Sequence, residues 1–89
     1  MKDSYLEITY RHGRPLAAYL YLPRRPDDTS HHCSPRGDGL VIDHAADGRP
    51  IGLEITAPER VSVDVINRVL RELQLGPLTP ADLAPLRAA

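Results

Sequence analysis

The segment Gly39–Ile55 constrains this chain more than any other. It reads Gly-Leu-Val-Ile-Asp-His-Ala-Ala-Asp-Gly-Arg-Pro-Ile-Gly-Leu-Glu-Ile, two alternating runs around Asp47-Gly48. Asp-Gly is a strong hairpin signal, because a type I′ turn needs positive φ at both central positions. With that turn, Ala46 faces Arg49, Ile42 faces Leu53 and Leu40 faces Ile55. Leu40, Ile42, Leu53 and Ile55 then share one face, while Val41, Asp43, Gly52 and Glu54 share the other. A one-residue slip would invert both sets, so turn chemistry and hydrophobic pattern specify the register together.

Two strands are expected before the hairpin. Ser4–Tyr10 alternates Leu6, Ile8 and Tyr10 against Glu7 and Thr9. Arg11-His12-Gly13-Arg14-Pro15 carries turn residues. Leu16–Leu22 places apolar side chains in both phases, which suits a central strand covered at least in part on both faces. Residues 23–38 then lose all hydrophobic periodicity and have the composition of a mobile loop, an uncommon length for a small domain.

After Pro58 the period changes. Val65, Ile66, Val69, Leu70 and Leu73 make a helical stripe, with Asp64, Arg68, Arg71 and Glu72 on the other side. Ser62 suits the N-cap, and Gly76-Pro77 is the expected stop. Thr79-Pro80-Ala81-Asp82 predicts a second short helix, which Pro85 limits to a turn or two. The expected fold is therefore α+β, one domain over residues 1–89. It has a four-stranded, mainly antiparallel sheet of two hairpins, packed by one long C-terminal helix plus a short helical turn. The helical stripe lies on Leu6, Ile8, Leu20, Ile42, Leu53 and Ile55.

Size limits what this domain can do. A chain of 89 residues buries only roughly 60–65% of its unfolded surface, and such domains often gain stability by oligomerising. A homodimer is expected on that ground. The core lacks Phe and Trp and must be built from Leu, Ile, Val, Ala and some Tyr. A net charge of -1, with Lys2 the single lysine and the arginines scattered, gives no basic stripe for binding nucleic acid. Cys33 has no partner for an internal disulfide. No apolar run approaches the ~18 residues of a membrane span, and no leader precedes the first strand. A cytoplasmic location without membrane attachment is the default expectation.

The hairpin resembles the signature of the YuzE-like family of small bacterial domains of unknown function. There an apolar strand ends in Asp, an Asp-Gly turn follows, and the return strand reads Gly-apolar-Glu-apolar. Asp43, Asp47, Gly48, Gly52, Glu54 and Ile55 match that pattern. The chain departs from it at Arg11–Leu16, where the family has an acidic segment, and in its His-His-Cys stretch and Pro-rich tail. The resemblance covers about half the chain and implies the fold. It also implies a small partner protein, since some members look like the companion of a toxin.

Three candidate sites follow. The face opposite the aliphatic one presents Glu7, Tyr19, Tyr21, Val41, Asp43 and Glu54, with Tyr5 and Thr9 at its edge. Tyrosines on a rigid backbone are favoured contact residues, so this is the expected binding face. The plain alternative is a solvated sheet surface. His31, His32 and Cys33 offer imidazole and thiolate ligands for zinc or nickel, set against a flexible polar loop without paired ligand spacings. Asp43 with Glu54 is the candidate acid–base pair of a small hydrolase-like enzyme. Of these, a non-catalytic interaction module without a cofactor is the expected function.

Overall fold

The computed structural model describes residues 5–37 and 39–87. Ser4 and Asp38, the expected first residue of a strand and last residue of the loop, lie outside them. Five strands run Tyr5–Arg11 (β1), Arg14–Tyr21 (β2), His32–Pro35 (β3), Leu40–His44 (β4) and Pro50–Ile55 (β5). They form one antiparallel sheet in the order β1-β2-β5-β4-β3. One α-helix, Val63–Glu72 (α1), follows, with 3-10 turns at Pro58–Arg60 and Ala84–Arg87. Among the described residues no helix is long and apolar enough to cross a membrane.

The sheet thus has five strands and three hairpins rather than the expected four and two. The additional strand lies inside the segment read as a mobile loop. His32-Cys33-Ser34-Pro35 pairs with His44-Asp43-Ile42-Val41. Flanking bonds from His31 N to His44 O and from Arg36 N to Leu40 O, both 2.8 Å, extend the ladder. An edge strand needs backbone pairing on one side only and tolerates proline, so a polar four-residue stretch suffices.

The central hairpin has the expected register over its outer part, with Leu40 opposite Ile55 and Ile42 opposite Leu53. Its turn differs. Gly48 has φ 92° but Asp47 is absent from the positive-φ positions. Ala45 O accepts from Gly48 N at 2.9 Å, and Ala45 N donates to Arg49 O at 2.9 Å. This is a three-residue loop with glycine in the left-handed position, one residue longer than the type I′ turn. An irregularity between Asp43 and His44 leaves Ile51 as an extra residue on β5 and restores the register beyond it. The genuine pair of consecutive positive φ values is His12 (54°) and Gly13 (76°), which join β1 to β2 with Arg11 opposite Arg14.

One face of the sheet meets α1. Ala18, Leu20 and Leu22 of the second strand and its end, with Leu40, Ile42, Leu53 and Ile55, pack against Val61, Ile66, Val69 and Leu70. Leu6, Ile8, Val65 and Leu73 pack at the margin, and Leu78, Leu83 and Leu86 close the core from the C-terminal segment. Ser62 caps α1, its Oγ accepting from Val65 N at 3.2 Å. The helix stops before the expected Gly76-Pro77. Gln74 takes φ 62°, and bonds from Gln74 N to Arg71 O (2.9 Å) and from Leu75 N to Leu70 O (2.8 Å) complete a Schellman cap. Leu75 is thereby turned onto the core.

Asn67 then brackets the following segment, donating to Leu78 O at 2.9 Å and accepting from Leu78 N at 2.7 Å. Thr79 and Asp82 exchange backbone and side-chain bonds of 2.9 and 3.2 Å as the expected capping pair. Bonds of the i to i+3 kind follow, so this segment forms turns and a 3-10 helix instead of an α-helix.

Candidate functional site

The face of the sheet away from α1 carries two rows of side chains set by the strand register. One runs Tyr5, Tyr21, Gly52, Asp43, Cys33, and the other Glu7, Tyr19, Glu54, Val41, Pro35. The expected binding-face residues Tyr19, Tyr21, Val41, Asp43 and Glu54 therefore do share one surface. What the rows alone do not convey is how the tyrosines lie. Tyr19 reaches diagonally over Gly52, and its hydroxyl donates to Asp43 Oδ2 at 2.7 Å. Gly52 leaves the space for this: a Cβ there would sit 1.9 Å from Tyr19 Oη and 2.2 Å from Cζ.

Asp43 points away from the core, yet it is 7% exposed. Tyr19, Ser30 and Cys33 enclose it. Ser30 Oγ donates to Oδ1, and Cys33 Sγ donates to the same oxygen at 3.6 Å. Burial pushes the carboxyl pKa up, but the hydrogen bonds from Ser30, Tyr19 and Cys33, with the nearby Arg24 charge, outweigh it and hold the pKa below the ordinary value. Tyr19 moves the other way. Burial and the Asp43 acceptor raise its pKa to about 12.

Arg24 completes the network from the segment after β2. Its Nη2 donates to Tyr19 Oη at 3.2 Å and to Ile51 O. The guanidinium carbon lies 5.0 Å from the Tyr21 ring centroid and 5.9 Å from that of Tyr19, within cation–π range. Tyr21 in turn stacks on Tyr5 with centroids 4.2 Å apart and planes inclined by 14°, and its hydroxyl donates to Glu7 Oε1 at 3.4 Å. Tyr5 is 59% exposed. The result is a fixed aromatic ladder with an arginine laid across it.

The acid–base pair expected of Asp43 and Glu54 is not assembled. Asp43 lies opposite Gly52 and Glu54 opposite Val41, so the two acids are diagonal neighbours. One is buried in its network and the other is exposed. Surface grooves lined by Arg11, His12, Arg14, Pro15, Leu16 and Glu59, and by Arg25, Asp28, Ala45 and Arg49, include neither acid.

The metal candidates are separated by the pleat of β3. Cys33 turns to Asp43, whereas His32 lies beside His44, with ring centroids 5.6 Å apart. Ser34 Oγ bridges these two at 3.3 Å from His32 Nε2 and 3.2 Å from His44 Nε2. His44 Nδ1 lies 3.1 Å from Gly48 O, a carbonyl that can only accept, so Nδ1 is the donor of that bond. His31 precedes the strand and is exposed. Among the described residues no group of three or more His, Cys, Asp or Glu is gathered to hold a metal ion.

Arg24 and Ser30 are the site residues that sequence reasoning missed. Both come from an aperiodic segment: Arg24 follows directly on β2 and bonds to Tyr19 and Ile51, and Ser30 precedes β3 and bonds to Asp43. Comparison with family models, with curated proteins and with solved structures finds no match to the chain.

Proposed function

We propose that this chain is a non-catalytic protein-interaction module that meets its partner through the tyrosine-bearing face of the sheet. The observation that carries this reading is the ladder Tyr5–Tyr21–Tyr19 with Arg24 across it, anchored at Tyr19 by the bond to Asp43. Tyrosine and arginine are the residue types enriched where protein surfaces bind. Here their side chains already contact one another by stacking and hydrogen bonding, an arrangement that lowers the conformational entropy to be lost on contact. Glu7 and Glu54 stand exposed beside the ladder, which suits a partner surface bearing arginine or lysine.

Chemistry at the site favours this over an enzyme. Asp43 is 7% exposed, and both of its oxygens already accept hydrogen bonds from Tyr19, Ser30 and Cys33, so a substrate has poor access to the carboxylate. Tyr19 holds its proton at neutral pH and spends it on Asp43. The hairpin's resemblance to the YuzE-like domains agrees with a small companion protein.

Tyr21→Ala and Glu54→Arg test the reading, because both alter the face without touching the Asp43 bonds. Binding to a partner isolated from the native host should weaken for both variants, with a native circular dichroism spectrum. Glu54→Arg should keep the thermal midpoint, and Tyr21→Ala should lower it, because it removes contacts to Tyr5, Tyr19 and Arg24. Full-strength binding and unchanged assembly for both would remove the proposal.

A further inference from the structure

The two edges of the sheet differ in a way that folding alone does not require. The β3 edge is four residues long and ends in Pro35, two devices that blunt edge-to-edge pairing. The β1 edge is seven residues long, Tyr5–Arg11, without proline or lysine. The irregularity between Thr9 and Tyr10 places the extra residue, Leu16, on β2, so β1 itself runs unbulged. Among the described residues no strand pairs with its outer side. The large exposed hydrophobic residues cluster at this end of the sheet: Tyr5 (59%), Tyr10 (49%) and Leu16 (51%).

We infer that a second copy of this chain occupies that edge, pairing β1 antiparallel with β1 of its partner about a two-fold axis at Ile8. The inference rests on the reading of the chain as an interaction module and adds a second surface to it. Ile8 is the middle residue of Tyr5–Arg11, so this register uses the whole strand. Because residues directly opposite in an antiparallel pair share a face, Ile8 meets the partner's Ile8, and Leu6 meets the partner's Tyr10, on the helix side. On the open side Glu7 meets the partner's Thr9, and Tyr5 meets the partner's Arg11.

No like charges oppose each other in this register, and Arg11 gains an aromatic neighbour. Moving the axis to Glu7 would set that carboxylate against its own copy. Moving it to Thr9 would leave Tyr5 and Leu6 unpaired. Packing the open faces against each other instead would bring Glu7 and Glu54 of both copies into one interface. The edge is therefore the surface that a second copy fits, and pairing there joins two sheets into one and sets the two tyrosine ladders side by side.

Sedimentation equilibrium of the full chain over a concentration series tests this. Thr9 is exposed, so neither charge at this position disturbs the core. Thr9→Glu faces the partner's Glu7 at two symmetry-related places and should weaken the dimer about tenfold at low salt. Thr9→Lys faces the same carboxylate with opposite charge and should tighten it. A wild-type chain that stays monomeric up to its solubility limit would overturn the inference, as would equal effects of the two variants. If both leave the mass unchanged while Tyr21→Ala still weakens partner binding, the edge inference falls and the tyrosine-face reading stands.

Discussion

Replacing Gly52 by alanine asks whether the tyrosine network is built into the sheet or merely rests on it. The new methyl would lie 1.9, 2.2 and 2.4 Å from Oη, Cζ and Cε1 of Tyr19, where carbon contacts prefer about 3.5 Å or more. The phenol must retreat by more than an ångström, and its 2.7 Å bond to Asp43 is lost. A hydrogen bond to a charged group contributes about 1.5–3 kcal/mol. Alanine in place of glycine in a strand returns roughly 0.5–1 kcal/mol of backbone entropy. The balance is a loss of about 1–2 kcal/mol, which lowers the midpoint of thermal unfolding by roughly 5–15 °C in a domain of this size.

Thermal and urea unfolding of wild type, Gly52→Ala, Tyr19→Ala and the double variant close the cycle. In the Tyr19→Ala background the obstruction is gone, so Gly52→Ala should be neutral or stabilising there. An equal cost in both backgrounds, or no cost in wild type, would refute the steric account of Gly52.

Three further outcomes follow from the same geometry. Asp43→Asn should lower stability at neutral pH by about 1.5–3 kcal/mol. The folded-state pKa of Asp43 is depressed, so its contribution is present above the ordinary carboxylate pKa and disappears as pH falls through the folded value. The gap between wild type and variant in urea midpoint should therefore close in acid, and a pH-independent gap would count against the network. Tyr19 is raised to about 12; its contribution is fully present below the ordinary tyrosine pKa and is lost as pH rises from there through about 12. Spectroscopic titration of tyrosinate should show a step near pH 12 that Tyr19→Phe removes. Gln74→Gly should stabilise the chain by about 0.5–1 kcal/mol in chemical unfolding, because Gln74 holds a left-handed φ of 62° that glycine adopts freely.

How much of this was legible in the sequence varied from element to element. The alternation of Leu40, Ile42, Leu53 and Ile55 identifies the aliphatic face and its register, because a slip would expose all four. It does not reveal that a longer loop and an extra residue at Ile51 cancel each other. Either route to that register buries the same side chains. Likewise Gly48 must take positive φ, while the demand on Asp47 depends on loop length.

Strand β3 was hidden because its formation is decided by backbone pairing with β4, and His32-Cys33-Ser34-Pro35 carries no periodicity to announce it. That strand decides the site. It sends Cys33 to Asp43 and His32 to His44, and so divides residues that adjacency had grouped as metal ligands. Tyr19, Tyr21, Asp43 and Glu54 were readable as one face from period two alone. The enclosure of Asp43 depends on Ser30 and Cys33, and the hold on Tyr19 depends on Arg24; the placing of Arg24 and Ser30 over the sheet is a tertiary event without a local signature.

The central claim, that the tyrosine face is where this protein makes contact, is tested most directly by nuclear magnetic resonance. Isotope-labelled protein would be titrated with a partner isolated from the native host. The predicted result is that shift changes and line broadening concentrate on Tyr5, Glu7, Tyr19, Tyr21 and Glu54 and spare the exposed side of α1. Changes confined to α1, or centred on the Arg25–Arg49 groove with the tyrosine signals unmoved, would contradict it.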